Sequence, residues 1–148
     1  MPPLAILLAI LLAACAAACD REPPAVPGPA YTPAAADMIR ALGASCDFKT
    51  DADGNESRSC RGRQSSVRIE ITSERRIREL DMTVLASTGV EEAWVLYNNV
   101  LPEVAGAAVA DAVHRKLRGE PVADAPGGPR VATTIDGQRY MVKLTWGR

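Results

Sequence analysis

Four cysteines and one histidine carry most of the reactive chemistry open to this 148-residue chain. Cys15 and Cys19 stand four apart in the apolar segment LLAACAAAC, whereas Cys46 and Cys60 bracket CDFKTDADGNESRSC. A thiol can be acylated, oxidised, held on a metal or used as a nucleophile, and spacing helps to separate these uses. Redox pairs usually sit closer in sequence than Cys46 and Cys60, and a zinc site wants more ligands than two thiols and His114. Counting both ends, Cys46 to Cys60 spans fifteen residues centred on Asp53. That odd count suits a hairpin with a three- or five-residue loop containing Gly. A structural disulfide between Cys46 and Cys60 is expected.

The turn Asp51-Ala52-Asp53-Gly54-Asn55 places side-chain oxygens at positions 1, 3 and 5, as a calcium-binding EF-hand loop does. Glu56 stands where such a loop needs Gly, and Gly62 where it needs the bidentate Glu. A polar turn accounts for it better, and no metal site is expected. His114 lies beside Arg115 and Lys116 near the end of a helical pattern, where a solvated side chain gains from the helix dipole. No Gly-x-Ser-x-Gly elbow, His-Glu-x-x-His pair or P-loop is present. The acidic pairs Glu91/Glu92 and Glu79/Asp81 are explained by helix capping and a wet strand face. The expectation is a protein without catalytic residues or cofactor, and so not an enzyme.

Basic residues form two groups: Arg58, Arg61 and Arg63 beside the cysteine hairpin, and Arg75, Arg76 and Arg78 in a second turn. The net charge of −1 lacks the basic excess of a nucleic-acid-binding protein. Ile77 has no place in the strand alternation around it. An exposed apolar residue rimmed by charge is where partners dock, so Arg75, Arg76, Ile77 and Arg78 are the candidate binding surface. An acidic protein partner or anionic lipid would suit it.

The N-terminus says where this chemistry is displayed. Leu4 to Leu12 is an unbroken apolar run followed by small residues. A transmembrane helix needs ~20 apolar residues, and this run with its alanines falls at or below that length. A secretory leader fits better. Met1-Pro2-Pro3 supplies no Lys or Arg, so either the leader is weakly polarised or the true start lies upstream. Leu12-Ala13-Ala14-Cys15 resembles the lipobox of bacterial lipoproteins, in which the Cys receives diacylglycerol and palmitate and becomes the mature N-terminus. Ala16-Ala17-Ala18-Cys19 is a poorer second copy, lacking the branched residue three places before its Cys. Motif quality selects Cys15. Cysteine arithmetic selects Cys19, since cutting at Cys15 leaves Cys19 as a spare thiol. Recognition precedes folding and reads the local motif, which favours Cys15. Either choice implies export, and in an exported chain a disulfide is the default state of Cys46 and Cys60.

Residues 1–19 are thus read as signal peptide and lipidation region. Residues 20–33, DREPPAVPGPAYTP, contain five prolines, which exclude a helix or central strand and make a tether of extended conformation. Residues 34–148 are read as one domain of ordinary size, its core built mostly of Val, Leu, Ile and Met because aromatics are few.

Several elements must position the candidate residues. Thr32-Pro33 opens a short helix ending near Leu42. Val67, Ile69 and Ile71 alternate with polar residues, as do Leu80, Met82, Val84 and Ala86: two half-buried strands joined by Ser73-Glu74-Arg75-Arg76. Thr88-Gly89-Val90-Glu91 reads as a capping box before a long helix to Leu117, with Pro102 breaking it near Asn98–Leu101 and Gly119 ending it. Asp136-Gly137 marks a type I′ hairpin pairing Ile135 with Gln138 and setting Tyr140, Val142, Leu144 and Trp146 on one face. The order of elements implies an α+β two-layer sandwich, an antiparallel sheet with helices on one face and one disulfide. The expected function is a lipid-anchored, periplasm-facing envelope module that binds or assists other components without catalysis. A structural subunit of an envelope assembly is the second reading. Inner and outer membrane are both open.

Overall fold

A computed structural model describes residues 26–147. The leader, Cys15, Cys19 and the first part of the proline-rich stretch lie outside the described residues. Helix α1 (Pro33–Ala41) precedes strands β1 (Ser45–Thr50), β2 (Glu56–Arg61), β3 (Ser65–Ile71) and β4 (Ile77–Leu85). Helices α2 (Val90–Asn98), α3 (Leu101–Ala105) and α4 (Ala107–Leu117) follow, and then strands β5 (Arg130–Asp136) and β6 (Arg139–Thr145). The six strands form one sheet in the order β1-β2-β3-β4-β6-β5, antiparallel throughout.

Strand alternation divides the sheet into a dry and a wet face. Val67, Ile69, Ile71, Leu80, Met82, Val84, Val142 and Leu144 are buried under the helices, with Ile39, Tyr97, Leu101 and Val113 packed onto them. The opposite face carries Ser59, Arg68, Asp81 and Lys143 across adjacent strands. The architecture is the expected α+β sandwich. Tyr97 links the layers: its hydroxyl lies 2.6 Å from the Tyr140 carbonyl and 3.1 Å from that of Met82. Burial pushes its phenol pKa up, so it stays a proton donor.

The helix starts obey local chemistry. Thr32 caps α1, accepting a bond from the Ala35 N–H at 3.1 Å, and Pro33 occupies the first turn. The capping box at the start of α2 is displaced from its expected position. Gly89 is the N-cap with φ +120° and offers no side chain. Glu92, not Glu91, reaches back to accept from the Thr88 N–H at 2.7 Å and its hydroxyl at 2.8 Å. The expected long helix breaks where Pro102 predicts, and again at Gly106, whose φ of +92° favours glycine.

Two further departures concern β-structure. The β5–β6 turn sits one residue later than expected, with Asp136 opposite Arg139 and Ile135 opposite Tyr140. Gly137, at φ +59°, then takes the first central position, the type II′ arrangement rather than I′. The two-unit change in pairing preserves the faces, so Tyr140, Val142, Leu144 and Trp146 are all buried as expected. In β4 the register with β3 shifts between Glu70 and Ile71, so that Ile71 faces Ile77 while Glu70 faces Glu79. Arg78 is the extra residue of this β-bulge.

Candidate functional site

The candidate binding segment lies at one end of the sheet, where two hairpin turns and the chain entering α1 converge. Cys46 faces Cys60 across the β1–β2 hairpin and is joined to it by a disulfide. Its turn is internally satisfied. One Asp51 oxygen accepts from the backbone N–H groups of Asp53 and Asn55, both at 2.9 Å, and the other from the Asn55 amide at 3.0 Å. Those bonds hold the Asp51 carboxyl below its ordinary pKa, the Asn55 side chain contributing most. Asn55 in turn accepts from the Ser73 N–H at 3.2 Å, tying this turn to the next.

The β3–β4 turn is closed by Thr72, whose N–H donates to the Arg76 carbonyl at 2.8 Å and whose hydroxyl accepts from the Arg76 N–H at 3.2 Å. Arg75 pays for the tightness with φ +61°, the single positive φ outside glycine among the described residues. Against this turn runs the end of the proline-rich stretch. Pro29 accepts from the Ile77 N–H at 2.9 Å, and the Tyr31 N–H donates to the Arg75 carbonyl at 2.8 Å. Residues 28–31, ahead of α1, are therefore packed against the sheet.

The expected exposed apolar anchor is corrected by this geometry. Ile77 is 1% exposed and belongs to the core. The bulge at Arg78 reverses the parity of β4, turning Ile77 inward beside Ile71 and sending Arg78 out. The arginines divide between two carboxylates. Glu56 accepts from Arg58 and Arg75, each at 2.7 Å. Glu70 accepts from Arg78 at 2.7 Å and from Arg68 at 2.8 Å. The bond from Arg58 holds Glu56 below its usual pKa, and the bond from Arg78 does the same for Glu70. Arg76 spans instead to the Gly28 carbonyl at 3.1 Å.

Tyr31 has two guanidinium groups near its ring, Arg58 at 5.1 Å and Arg75 at 5.2 Å from the centroid, within cation–π range. Beside this cluster a groove of ≈ 180 Å³ is lined by Gly28, Thr72, Arg76, Ile77, Arg78 and Trp146. The groove sets the Arg76 and Arg78 guanidinium groups and the Glu74 carboxylate around an apolar floor. Arg58 and Arg61 do not share a surface: Arg58 turns to the helix side opposite Ile69, while Arg61 pairs with Ser66 on the open face.

His114 is half-buried rather than freely solvated. It stacks on Trp94, with ring centroids 4.3 Å apart, and its Nε2 lies 3.2 Å from a Glu91 oxygen. On the open face, Asp81 sits beside Glu79 with Lys143 over both, at 2.8 Å from Glu79 and 3.7 Å from Asp81. Loss of water contact pushes the Asp81 carboxyl up in pKa despite Lys143. Among the described residues no three His, Cys, Asp or Glu side chains gather to hold a metal, and no helix is long and apolar enough to cross a membrane. Comparison with family models, curated proteins and solved structures found no match for this chain.

Proposed function

We propose that this protein is a lipid-anchored component of a bacterial cell envelope, whose α+β domain faces the periplasm as a non-catalytic binding or accessory module. The observation that carries this reading is Leu12-Ala13-Ala14-Cys15, closing an apolar leader of secretory length. The Cys46–Cys60 disulfide supports it, because such bonds persist in oxidising compartments. The binding surface is the hairpin end, with Arg76 and Arg78 as its polar contacts at the groove, Arg75 on the Tyr31 side of the same turn and Ile77 as the packing beneath them. An acidic envelope protein or anionic lipid is the complementary partner.

Metabolic labelling with a fatty acid tests the anchor. The wild-type chain takes up label and fractionates with membranes, and the Cys15→Ser/Cys19→Ser double variant loses both properties. A double variant that still carries acyl label on the membrane overturns the reading. Pull-down of the lipidated form then separates a module with exchangeable partners from a subunit recovered at fixed stoichiometry.

A further inference from the structure

The sheet has two edges, and they are treated differently. At the β5 edge, Lys116 donates to the Val131 carbonyl at 2.8 Å and Asp124 accepts from the Val131 N–H at 3.2 Å. Side chains thus cover the start of that strand. At the β1 edge all six residues are exposed, and among the described residues their backbone groups bond only within the β1–β2 hairpin. Phe48, the single phenylalanine of the chain, is 74% exposed there. A long bare edge bearing an aromatic side chain is a template for pairing with another strand.

The alternation of the β1–β2 ladder fixes which backbone groups are available. The Asp51 N–H donates to the Asn55 carbonyl at 2.9 Å, in the same register that pairs Asp47 with Ser59 and Lys49 with Ser57. Odd-numbered residues of β1 therefore bond to β2, and Cys46, Phe48 and Thr50 direct their N–H and C=O groups outward. Asp47 and Lys49 project onto the open face, and neither has an ion-pair partner among the described residues.

We propose that β1 is the pairing edge of a two-fold homodimer, in which Phe48 meets Phe48 of a second copy and the two sheets become one. In that register Cys46 lies opposite Thr50 of the second copy, and both pairs are hydrogen-bonded through their free backbone groups. Asp47 lies opposite Lys49 of the second copy, and Lys49 opposite its Asp47, as closely spaced non-hydrogen-bonded pairs. Charge selects this register. Sliding by two residues, the smallest shift that keeps faces aligned, sets Asp47 against Asp47 or Lys49 against Lys49. The occupant that matches this edge in backbone polarity, face and charge is a second copy of the same chain. The proposal rests on β1 alone and is independent of lipidation.

The test uses the full chain in density-matched detergent, with association read by sedimentation equilibrium. Wild type forms a dimer. Asp47→Lys and Lys49→Asp each place like charges in opposition twice and weaken self-association about tenfold or more. Mixing the two variants restores a dimer, because each supplies the charge the other lacks. Phe48→Pro leaves the β1–β2 ladder intact, since the lost N–H points outward, and abolishes the dimer. An intact Cys46–Cys60 disulfide in each variant verifies folding. A wild-type monomer at every concentration up to on the order of 1 mM overturns the proposal. So does a dimer indifferent to both charge variants, or a mixture that associates no better than its components.

Discussion

Replacing Gly28 by Ala is expected to detach the chain that enters α1 from the sheet. A Cβ at this position would overlap the Ile77 carbonyl and stand 3.2 Å from Cγ of Trp146. The carbonyl belongs to β4, which is held between β3 and β6, so no change of rotamer relieves the overlap. The segment must move instead. Its movement breaks the bonds from Ile77 N–H to Pro29 at 2.9 Å, from Tyr31 N–H to Arg75 at 2.8 Å and from Arg76 to Gly28 at 3.1 Å. Ile77 is fully buried, and an orphaned buried N–H costs ~1–3 kcal/mol, while the other two bonds contribute about 1 kcal/mol each at most. Relaxation returns part of this, leaving a loss of about 3 kcal/mol. In a domain of this size that lowers the melting midpoint by roughly 10 °C. Thermal unfolding of the full chain measures the loss, and amide exchange at Ile77 locates it. Ala30→Ser, an exposed change in the same segment, serves as the neutral control. A Gly28→Ala midpoint within about 2 °C of wild type, with Ile77 protection unchanged, refutes the reasoning.

Cys46→Ser opens a loop of 14-residue separation and is expected to cost about 3 kcal/mol; a denaturant midpoint matching wild type would contradict a structural role. Tyr97→Phe removes a buried hydroxyl that bonds to two strands and is expected to cost about 1 kcal/mol, with unfolding monitored by circular dichroism. Two acid residues are expected to act with opposite signs. Glu70 has a folded pKa below its unfolded one because Arg78 bonds to it. Its contribution is complete above an unfolded value of ~4.3 and is lost as pH falls through the folded value, so Glu70→Gln destabilises by ~0.5–1 kcal/mol at neutral pH and by little in acid. Asp81 is raised by desolvation, so Asp81→Asn stabilises above the folded pKa, an advantage that shrinks as pH falls from the folded value towards the unfolded one and is gone below ~3.9. Urea midpoints at neutral and acid pH decide it, and equal signs for the two variants would be the wrong result.

Much of the fold was legible because two strong signals agree. Period-two burial placed Val67, Ile69, Ile71, Leu80, Met82 and Val84 on one face, and hairpin counting set Cys46 opposite Cys60. What escaped was decided by single residues. Ile77 broke the parity of β4 because Arg78 is a bulge. The signal was present in an apolar residue one step out of phase, yet it reads equally as an exposed anchor. Gly106 reverses the backbone inside a helical pattern that a lone glycine does not abolish. The Pro-rich composition of residues 20–33 carries no sign that Gly28 and Tyr31 fit the sheet, since that fit depends on the Ile77 backbone and on Trp146, far away in sequence.

The candidate surface was less legible than the fold, for an electrostatic reason. Sequence counts charges but does not pair them. Arg75 and Arg78 read as a basic turn, whereas in the fold Glu56 and Glu70 lie against them from two other strands. A surface compensated in this way has a weak long-range field, so it recruits by close geometric fit rather than by steering. The open sheet face follows the same pattern, with Lys143 over Glu79 and Asp81 and Arg68 against Glu70. Asp47 and Lys49 depart from it. They flank the exposed Phe48 on β1, an edge strand whose outward backbone groups have no bond among the described residues, and they are opposite in sign. Charges left unpaired among the described residues but complementary to those of a second copy cost little solubility in the monomer, and they reject a slipped register on association. On this molecule the arrangement of charge points to recognition at the edge of the sheet more than at its face.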